Sequence, residues 1–412
     1  MALVAIVLAV AALAAVGGSQ TAAPVAGVSP VAPAATAAPP SPAGSSPGPS
    51  PGSSPGLPAG LELTGGSALL VDAASGQVLA EKNAHEPLPP ASLTKVMTLA
   101  LVYDAVASGQ LALDDVVNAG AGVAELGGSQ IWLEPGERMS AGDLLLAVAI
   151  ASANDASLAL AEHLAGTEAK FVVLMNERAR EQGMRDGSFK NAHGLDEPGH
   201  LLSAWDVAAI SRYALRFPDL LQATSTWEHY LRGGKSWLVN TNRLLRLYPG
   251  VDGLKTGSTD KAGFCVAATA VREQTRLIAV VMNAPTSEAR FSEAARLLNF
   301  GFANFATLPL VQRGQVLDEV RVQKGRALTV PLAASADLGI TVARGAKPEV
   351  EQRIVITATP VAPIAKGQHV GQLVVYADGR EAARVDLLAE RDVPRLSFWE
   401  QLLRVLGSLG RP

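Results

Sequence analysis

Hydrophobic and polar positions fall into distinct regimes along this chain. Residues 68–72 form a short apolar run, Ala73-Ala74-Ser75-Gly76 reads as a turn, and 77–81 completes a β-hairpin. After Pro89-Pro90 the period changes. Leu93, Val96, Met97, Ala100, Leu101 and Val102 recur at helical spacing, so 91–106 is expected to be a mostly buried helix with the proline pair at its mouth. Helical spacing returns at 141–151, 155–164, 169–182 and 204–216. Residues 264–271 and 277–282 are apolar, β-capable runs joined by the polar Arg272-Glu273-Gln274-Thr275-Arg276, which predicts an antiparallel hairpin. Residues 287–302 are helical again. Strands, then helices, then strands closed by a last helix predict an α+β domain over 61–306.

Both flanks differ from this middle. Short runs at 320–322, 328–332, 354–358, 373–376 and 383–388, broken by Gly325, Gly345, Gly367 and Gly379, predict a small all-β sandwich domain over 307–392. At the C-terminus, Phe398, Trp399, Leu402, Leu403, Leu406 and Leu409 share one helical face, with Glu400, Gln401, Arg404 and Ser408 opposite. A helix over 395–410 is too short to span a bilayer, but that face and its surrounding arginines suit shallow insertion into a membrane surface.

At the N-terminus, residues 2–16 are uninterrupted apolar sequence, and the first charged residue is Glu62. Segment 1–16 is expected to be an export signal, with small residues around Ala12 to Ala14 for cleavage, although the usual initial Lys or Arg is absent. Segment 17–60, with eleven prolines and no aromatic residue, is expected to be a disordered linker, because it cannot repay the entropy of ordering. Two G-x-S-x-G matches at 44–48 and 52–56 are discarded, since a nucleophile elbow needs a strand before it and a helix after it.

Charge and cysteine content narrow the function. A formal net charge of −4 over 412 residues offers no basic excess for a nucleic-acid backbone. The single cysteine, Cys265, excludes an intrachain disulfide and a Cys-based zinc site, and is expected to be a small core residue. The six histidines show no metal-ligand spacing. His193 is expected to shape a loop rather than to act as a base.

Three short segments carry candidate chemistry. In Ser92-Leu93-Thr94-Lys95 the i to i+3 spacing puts the Lys95 amine one helical turn from the Ser92 hydroxyl. Serine is a weak nucleophile until a base takes its proton, and lysine can be that base only when desolvation and a second cation lower its pKa. The backbone N–H of Ser92, at the helix start, can hold an oxyanion. In Ser152-Ala153-Asn154-Asp155, the Ser152 hydroxyl can relay a proton and the Asn154 amide can orient Lys95 and a substrate carbonyl; a helix cap at Asn154 or Asp155 is the plainer alternative. In Lys255-Thr256-Gly257-Ser258, Lys255 and Thr256 can bind a carboxylate, and Gly257 clears room for an extended peptide along a strand edge.

Taken in order, S-x-x-K, S-x-N and K-T-G resemble the triplet of the penicillin-binding proteins and serine β-lactamases. Further stretches agree: Gly128-Ser129-Gln130-Ile131, Leu133-Glu134-Pro135-Gly136-Glu137, His193-Gly194-Leu195-Asp196, and Asp252 to Gly257 with Ala262-Gly263. The similarity runs from about residue 67 to 302 and is closest to the low-molecular-mass penicillin-binding proteins that act as serine D-alanyl-D-alanine carboxypeptidases, peptidase family S11. It implies a transpeptidase-like α+β fold, an antiparallel sheet with helices, followed by the all-β domain. It implies that Ser92 attacks the penultimate D-alanine carbonyl of a peptidoglycan stem peptide ending in D-Ala-D-Ala, with Lys95 as general base. Ser152 and Asn154 then complete the relay and orient substrate, Lys255 and Thr256 hold the terminal carboxylate, and the N–H groups of Ser92 and Ser258 form the oxyanion hole. β-Lactam antibiotics are implied covalent inhibitors, and no metal or organic cofactor is needed. An exported protein at the outer face of the cytoplasmic membrane is expected. A β-lactamase of the same fold, and a non-catalytic cell-wall-binding protein, are the alternatives.

Overall fold

In the computed structural model, residues 56–400 are described, apart from 357 and 398. The expected export signal, nearly all of the linker and most of the C-terminal amphipathic helix lie outside the described residues.

Strands β1 (Ser67–Asp72) and β2 (Val78–Lys82) form the expected hairpin. A single 3-10 turn over Ala91–Thr94 leads directly into α1 (Lys95–Ala107). A small ribbon, β3 (Val116–Asn118) with β4 (Arg138–Ser140), precedes α2 (Ala141–Leu146), whose Ser140 hydroxyl caps it by accepting from Asp143 N. One π turn over Ala147–Ala151 follows, and then α3 (Asn154–Ala165), α4 (Glu168–Glu181), α5 (Ala204–Ala214) and α6 (Pro218–Ser225). Helix α5 starts on a reciprocal capping box between Ser203 and Asp206. The ribbon of β5 (Glu228–Leu231) and β6 (Ser236–Val239) and the short α7 (Leu244–Leu247) lead to β7 (Val251–Thr259), β8 (Gly263–Arg272) and β9 (Thr275–Ala284). Helix α8 (Ser287–Asn304) closes this part of the chain.

The main sheet has the order β2-β1-β9-β8-β7, with every neighbouring pair antiparallel. Its central strand shows why these stretches read as continuous apolar runs. On β9, Leu277, Ala279 and Val281 pack with Phe291, Leu297, Leu298 and Phe302 of α8, while Ile278, Val280 and Met282 face the cluster built on α1 to α5. Strand residues point alternately to the two faces, and here both faces are covered. Each fully buried Val, Leu or Ile is worth about 1.5–3 kcal/mol of transfer free energy, so the sheet is anchored from both sides. Strand β7 lies at an edge of this sheet, where it has one backbone neighbour and one open side.

Seven further strands follow: β10 (Phe305–Val311), β11 (Val316–Arg321), β12 (Thr329–Ala334), β13 (Leu338–Ala343), β14 (Val350–Ile356), β15 (His369–Ala377) and β16 (Arg380–Ala389). They form a five-stranded sheet, β11-β12-β16-β15-β14, and a two-stranded one, β10-β13. The two share one core: Val311, Leu338 and Ile340 pack with Val330, Leu332, Val375 and Leu387. This is the all-β, two-sheet arrangement expected from the spaced apolar runs.

Candidate active site

The 3-10 turn that carries Ser92 is gripped by glycines from two other segments. An added Cβ at Gly257 of β7 would stand 2.8 Å from Ser92 N and 3.0 Å from Ala91 Cβ, and one at Gly194 would stand 2.0 Å from Ala91 O. Gly194 also has φ +91, a left-handed conformation that costs glycine little. Ala91 itself has φ 48, as does Ser152 with φ 63, so two non-glycine residues in the sparsely populated left-handed region flank the chemistry.

Lys95 is fully buried at the start of α1. Its Nζ lies 2.9 Å from Ser92 Oγ, 2.6 Å from Asn154 Oδ1 and 2.5 Å from the backbone carbonyl of His193. The two carbonyl-type oxygens can only accept, whereas a hydroxyl can also donate. A neutral amine therefore gives its two N–H groups to Asn154 and His193 and turns its lone pair to the Ser92 O–H, which is the arrangement a general base requires. Burial holds the Lys95 pKa well below the usual lysine range, the Lys255 ammonium lowers it further, and Asp155 opposes them.

Asn154 is held at both ends. Its Nδ2 donates to Gly127 O at 2.6 Å and its backbone N–H to Ser129 O at 2.7 Å, which ties the 127–133 loop to the start of α3. Gly128 sits where an added Cβ would come 2.9 Å from Asn154 Nδ2. Asp155 finishes the tie by accepting from the backbone N–H groups of Ile131, Leu133 and Ala156. Neither residue serves as the plain helix cap considered above: the position before α3 is Ala153, without a side-chain cap. Ser152 occupies the left-handed junction between the π turn and α3 and is buried, but its hydroxyl makes no hydrogen bond among the described residues.

On β7, Lys255 and Gly257 pair across to Ala267 and Cys265, on the face that meets the Ser92 turn. Lys255 is 1% exposed, and its Nζ donates to Thr256 O at 3.0 Å. Burial, with the nearby Arg290 guanidinium as the smaller cause, pushes its pKa down to about 7. Thr256 Oγ1 shares a 2.6 Å hydrogen bond with Thr241 Oγ1. Ser258, one residue past Gly257, is exposed. The structure thus brings Ser92, Lys95, Asn154, Lys255 and Gly257 together. Cys265 is fully buried, and burial pushes its thiol up to about 11, so it is a core residue and not a thiolate.

Several contributors leave no mark in the sequence pattern. The His193 carbonyl acts on Lys95 through backbone alone, while its ring, with a pKa pushed to about 3 chiefly by burial, accepts from Leu195 N. Asn191 shapes that loop by accepting from the N–H groups of His193 and Gly194. Asn242 donates to Gly253 O, and Arg290 to Gly257 O, so the first and last parts of β7 are fastened from behind. The polar triplet Asn240-Thr241-Asn242 within apolar surroundings is the one signal that could have flagged that loop. Among the described residues there is no cluster of three or more His, Cys, Asp or Glu side chains able to hold a metal.

A half-buried serine against a fully buried lysine, an amide that orients the pair and an edge strand bearing a second lysine define a serine acyl-transfer site of the penicillin-binding kind. The D-alanyl-D-alanine carboxypeptidase family model matches residues 54–286, and the model of the C-terminal domain of penicillin-binding protein 5 matches residues 305–395. The chain belongs to the D-alanyl-D-alanine carboxypeptidase family. It is 41% identical over 345 residues to the D-alanyl-D-alanine carboxypeptidase DacF of Bacillus subtilis, covering 83% of this chain and 89% of that protein. Among solved structures it is similar to penicillin-binding protein 5 from Haemophilus influenzae, with a TM-score of 0.64, 35% identity, and coverage of 81% of this chain and 98% of that one. It is also similar to penicillin-binding protein D2 of Listeria monocytogenes in its ampicillin-bound form, with a TM-score of 0.54, 34% identity, and coverage of 59% and 99%.

Proposed function

We propose that this protein is a serine D-alanyl-D-alanine carboxypeptidase acting on peptidoglycan stem peptides, and that β-lactams acylate it. The observation that carries the reading is the Lys95 amine, fully buried, 2.9 Å from Ser92 Oγ with its other two contacts taken by acceptors. The terminal carboxylate of the substrate meets Lys255 and Thr256, and the penultimate carbonyl sits over Ser92. Lys95 removes the Ser92 proton as Oγ adds to that carbonyl, while the N–H groups of Ser92 and Ser258 stabilise the oxyanion. The proton then passes to the leaving D-alanine amine, with Ser152 and Asn154 beside the path. Water hydrolyses the acyl-enzyme and frees the shortened peptide and Ser92.

The β-lactamase reading is the weaker one. The hydrogen-bond partner of Ser92 Oγ is the Lys95 amine, and the nearby Asp155 carboxylate is occupied by three backbone N–H groups. Among the described residues no carboxylate hydrogen-bonds Ser92 Oγ, which supports a penicilloyl adduct that is hydrolysed slowly. The test is release of D-alanine from a peptide ending in D-Ala-D-Ala: wild type releases it, Ser92→Ala does not, and rapid penicillin turnover by wild type contradicts the assignment.

We further infer export to the cell envelope, with segment 1–16 as the signal, 17–60 as a tether, 61–306 as the catalytic domain and 307–392 as a spacer. The 395–410 helix would rest on the outer face of the cytoplasmic membrane. The charge-free start of the chain and the one-sided apolar face near its end support this. Among the described residues no helix is long and apolar enough to cross a membrane. Unchanged membrane association after deletion beyond Pro394 would remove the anchor from the account.

A further inference from the structure

The Thr256 hydroxyl shares its hydrogen bond with Thr241 Oγ1, at 2.6 Å, and neither hydroxyl has a second partner among the described residues. We propose that Thr241 is a positioning residue that sets specificity: its hydroxyl donates to Thr256, which leaves the Thr256 hydrogen for the substrate and selects a free terminal carboxylate over a terminal amide. The inference rests on the carboxypeptidase reading and deepens it.

Hydrogen counting is the first support. Each threonine hydroxyl has one hydrogen to give and two lone pairs to receive with. The bond between the two uses one hydrogen and leaves one over. Were Thr256 the donor, it would meet the ligand with lone pairs alone, and a carboxylate would bring oxygen against oxygen. With Thr241 as the donor, the spare hydrogen sits on Thr256, next in sequence to Lys255. Both residues then offer donors, which suits a group made only of acceptors. A hydroxyl that accepts one hydrogen bond also gives a stronger one, so the Thr241 hydroxyl sharpens the Thr256 donor as well as aiming it.

A terminal amide breaks this pattern, because it presents one acceptor and one donor group. With its carbonyl at Lys255, its NH2 meets the Thr256 hydrogen. With its carbonyl at Thr256, its NH2 meets the ammonium. Remove the Thr241 hydroxyl and the Thr256 hydroxyl turns freely, so it can accept from an amide as readily as it donates to a carboxylate.

The second support is the way Thr241 is held. Its neighbours Asn240 and Asn242 are both buried. Asn240 Nδ2 donates to Thr224 O at 3.0 Å and to Thr226 O at 2.9 Å, and Asn240 Oδ1 accepts from Asn242 N at 2.9 Å. Asn242 Nδ2 donates to Gly253 O at 3.0 Å, which seats the segment against the first part of β7. The N–H of Thr241 itself donates to Ile150 O at 3.2 Å, on the π turn that leads into Ser152. Thr241 is thus fixed from both sides, and its side chain reaches β7 at the residue where the bound peptide ends. A buried hydroxyl aimed by a rigid neighbour keeps one direction, and that is what discrimination between two groups of the same shape requires.

The test uses two peptides that differ only at the C-terminus, one ending in D-Ala-D-Ala as the free acid and one as its amide. Both yield the same acyl-enzyme, so the ratio of their kcat/KM values reports recognition of the leaving residue. Wild type favours the acid. Thr241→Val keeps the shape and removes the hydroxyl. For this variant kcat/KM on the acid should fall by roughly threefold to tenfold, the worth of one hydrogen bond, while the amide changes by less than about twofold and the preference narrows accordingly. Thr241→Ser keeps the hydroxyl and should hold the acid within about twofold of wild type. A packing role predicts the reverse order, with Ser worse than Val. An equal fall for acid and amide, or a Ser variant as slow as the Val variant, overturns the proposal; where the amide is too slow to follow, the order of Val and Ser on the acid decides alone. Wild type that releases no D-alanine overturns the carboxypeptidase reading, whereas an active wild type matched by Thr241→Val overturns only the role of Thr241.

Discussion

Gly257→Ala is the sharpest single change this geometry offers. The new Cβ would stand 2.8 Å from Ser92 N, 3.0 Å from Ala91 Cβ and 3.1 Å from Pro90 O, all on the nucleophile's own turn. Ordinary contact begins near about 3.5 Å, so the turn and the edge strand must part by about 0.7 Å. Neither side yields easily, because Gly194 also lies close against Ala91 O and Arg290 holds Gly257 O at 3.0 Å. A displacement near 1 Å at reacting groups costs on the order of 10²-fold in rate, and overpacking costs about 1–3 kcal/mol in stability, against about 0.4–1 kcal/mol regained from the stiffer unfolded chain. Acylation by a fluorescent penicillin under pseudo-first-order conditions should therefore slow by about 10- to 100-fold, with a smaller stability loss in urea melts. A Gly257→Ala protein that acylates at the wild-type rate would refute the close apposition of β7 and the Ser92 turn.

Other perturbations separate the remaining parts of the site. Asn154→Ala removes one of the carbonyl-type acceptors on Lys95 and the donor to Gly127 O, so acylation should fall by about 10²–10³ with the circular dichroism spectrum unchanged; a loss below about threefold would contradict the orienting role. Asp155→Ala strands the N–H groups of Ile131, Leu133 and Ala156 and should cost about 3 kcal/mol or more in chemical denaturation, with a loss under about 1 kcal/mol as the opposing result. Lys255 must be protonated to hold the substrate carboxylate, and its pKa of about 7 means that kcat/KM should decline as pH rises through that region in the free enzyme. Bound carboxylate favours the ammonium, so kcat should persist to higher pH, and a substrate amidated at its C-terminus should lack the decline; an identical decline for the amide would assign it to another group.

Much of this site could be read from the chain because its side-chain chemistry is local and ordered. Ser92 and Lys95 share a helical turn, and the glycine of the third motif marks the place where β7 meets that turn. What the sequence hides is mostly backbone. The carbonyl that orients Lys95 belongs to a residue 98 positions away, and no side-chain pattern announces a carbonyl. Asp155 has the profile of an ordinary cap, and only the folded 127–133 loop shows that its oxygens hold a wall of the cleft. The expected helix over 141–151 is α-helical only to Leu146 and then widens into a π turn, which hands the chain to Ser152 in a left-handed conformation. The pattern predicts no strand at β10 or β13 because Pro309 and Gly339 interrupt them, and such residues normally demote a strand; here they pair with each other. Helix α6 and the β5–β6 ribbon carry no readable period for a different reason, since half-exposed short elements have too few apolar positions to establish one.

The most direct test of the central claim is intact-mass and peptide mass spectrometry after exposure to benzylpenicillin. The account predicts one penicilloyl adduct per chain, stable over many minutes, on the peptide containing Ser92 and lost in Ser92→Ala. An adduct on any other residue, or wild-type protein that returns unmodified while penicillin is consumed, would contradict it.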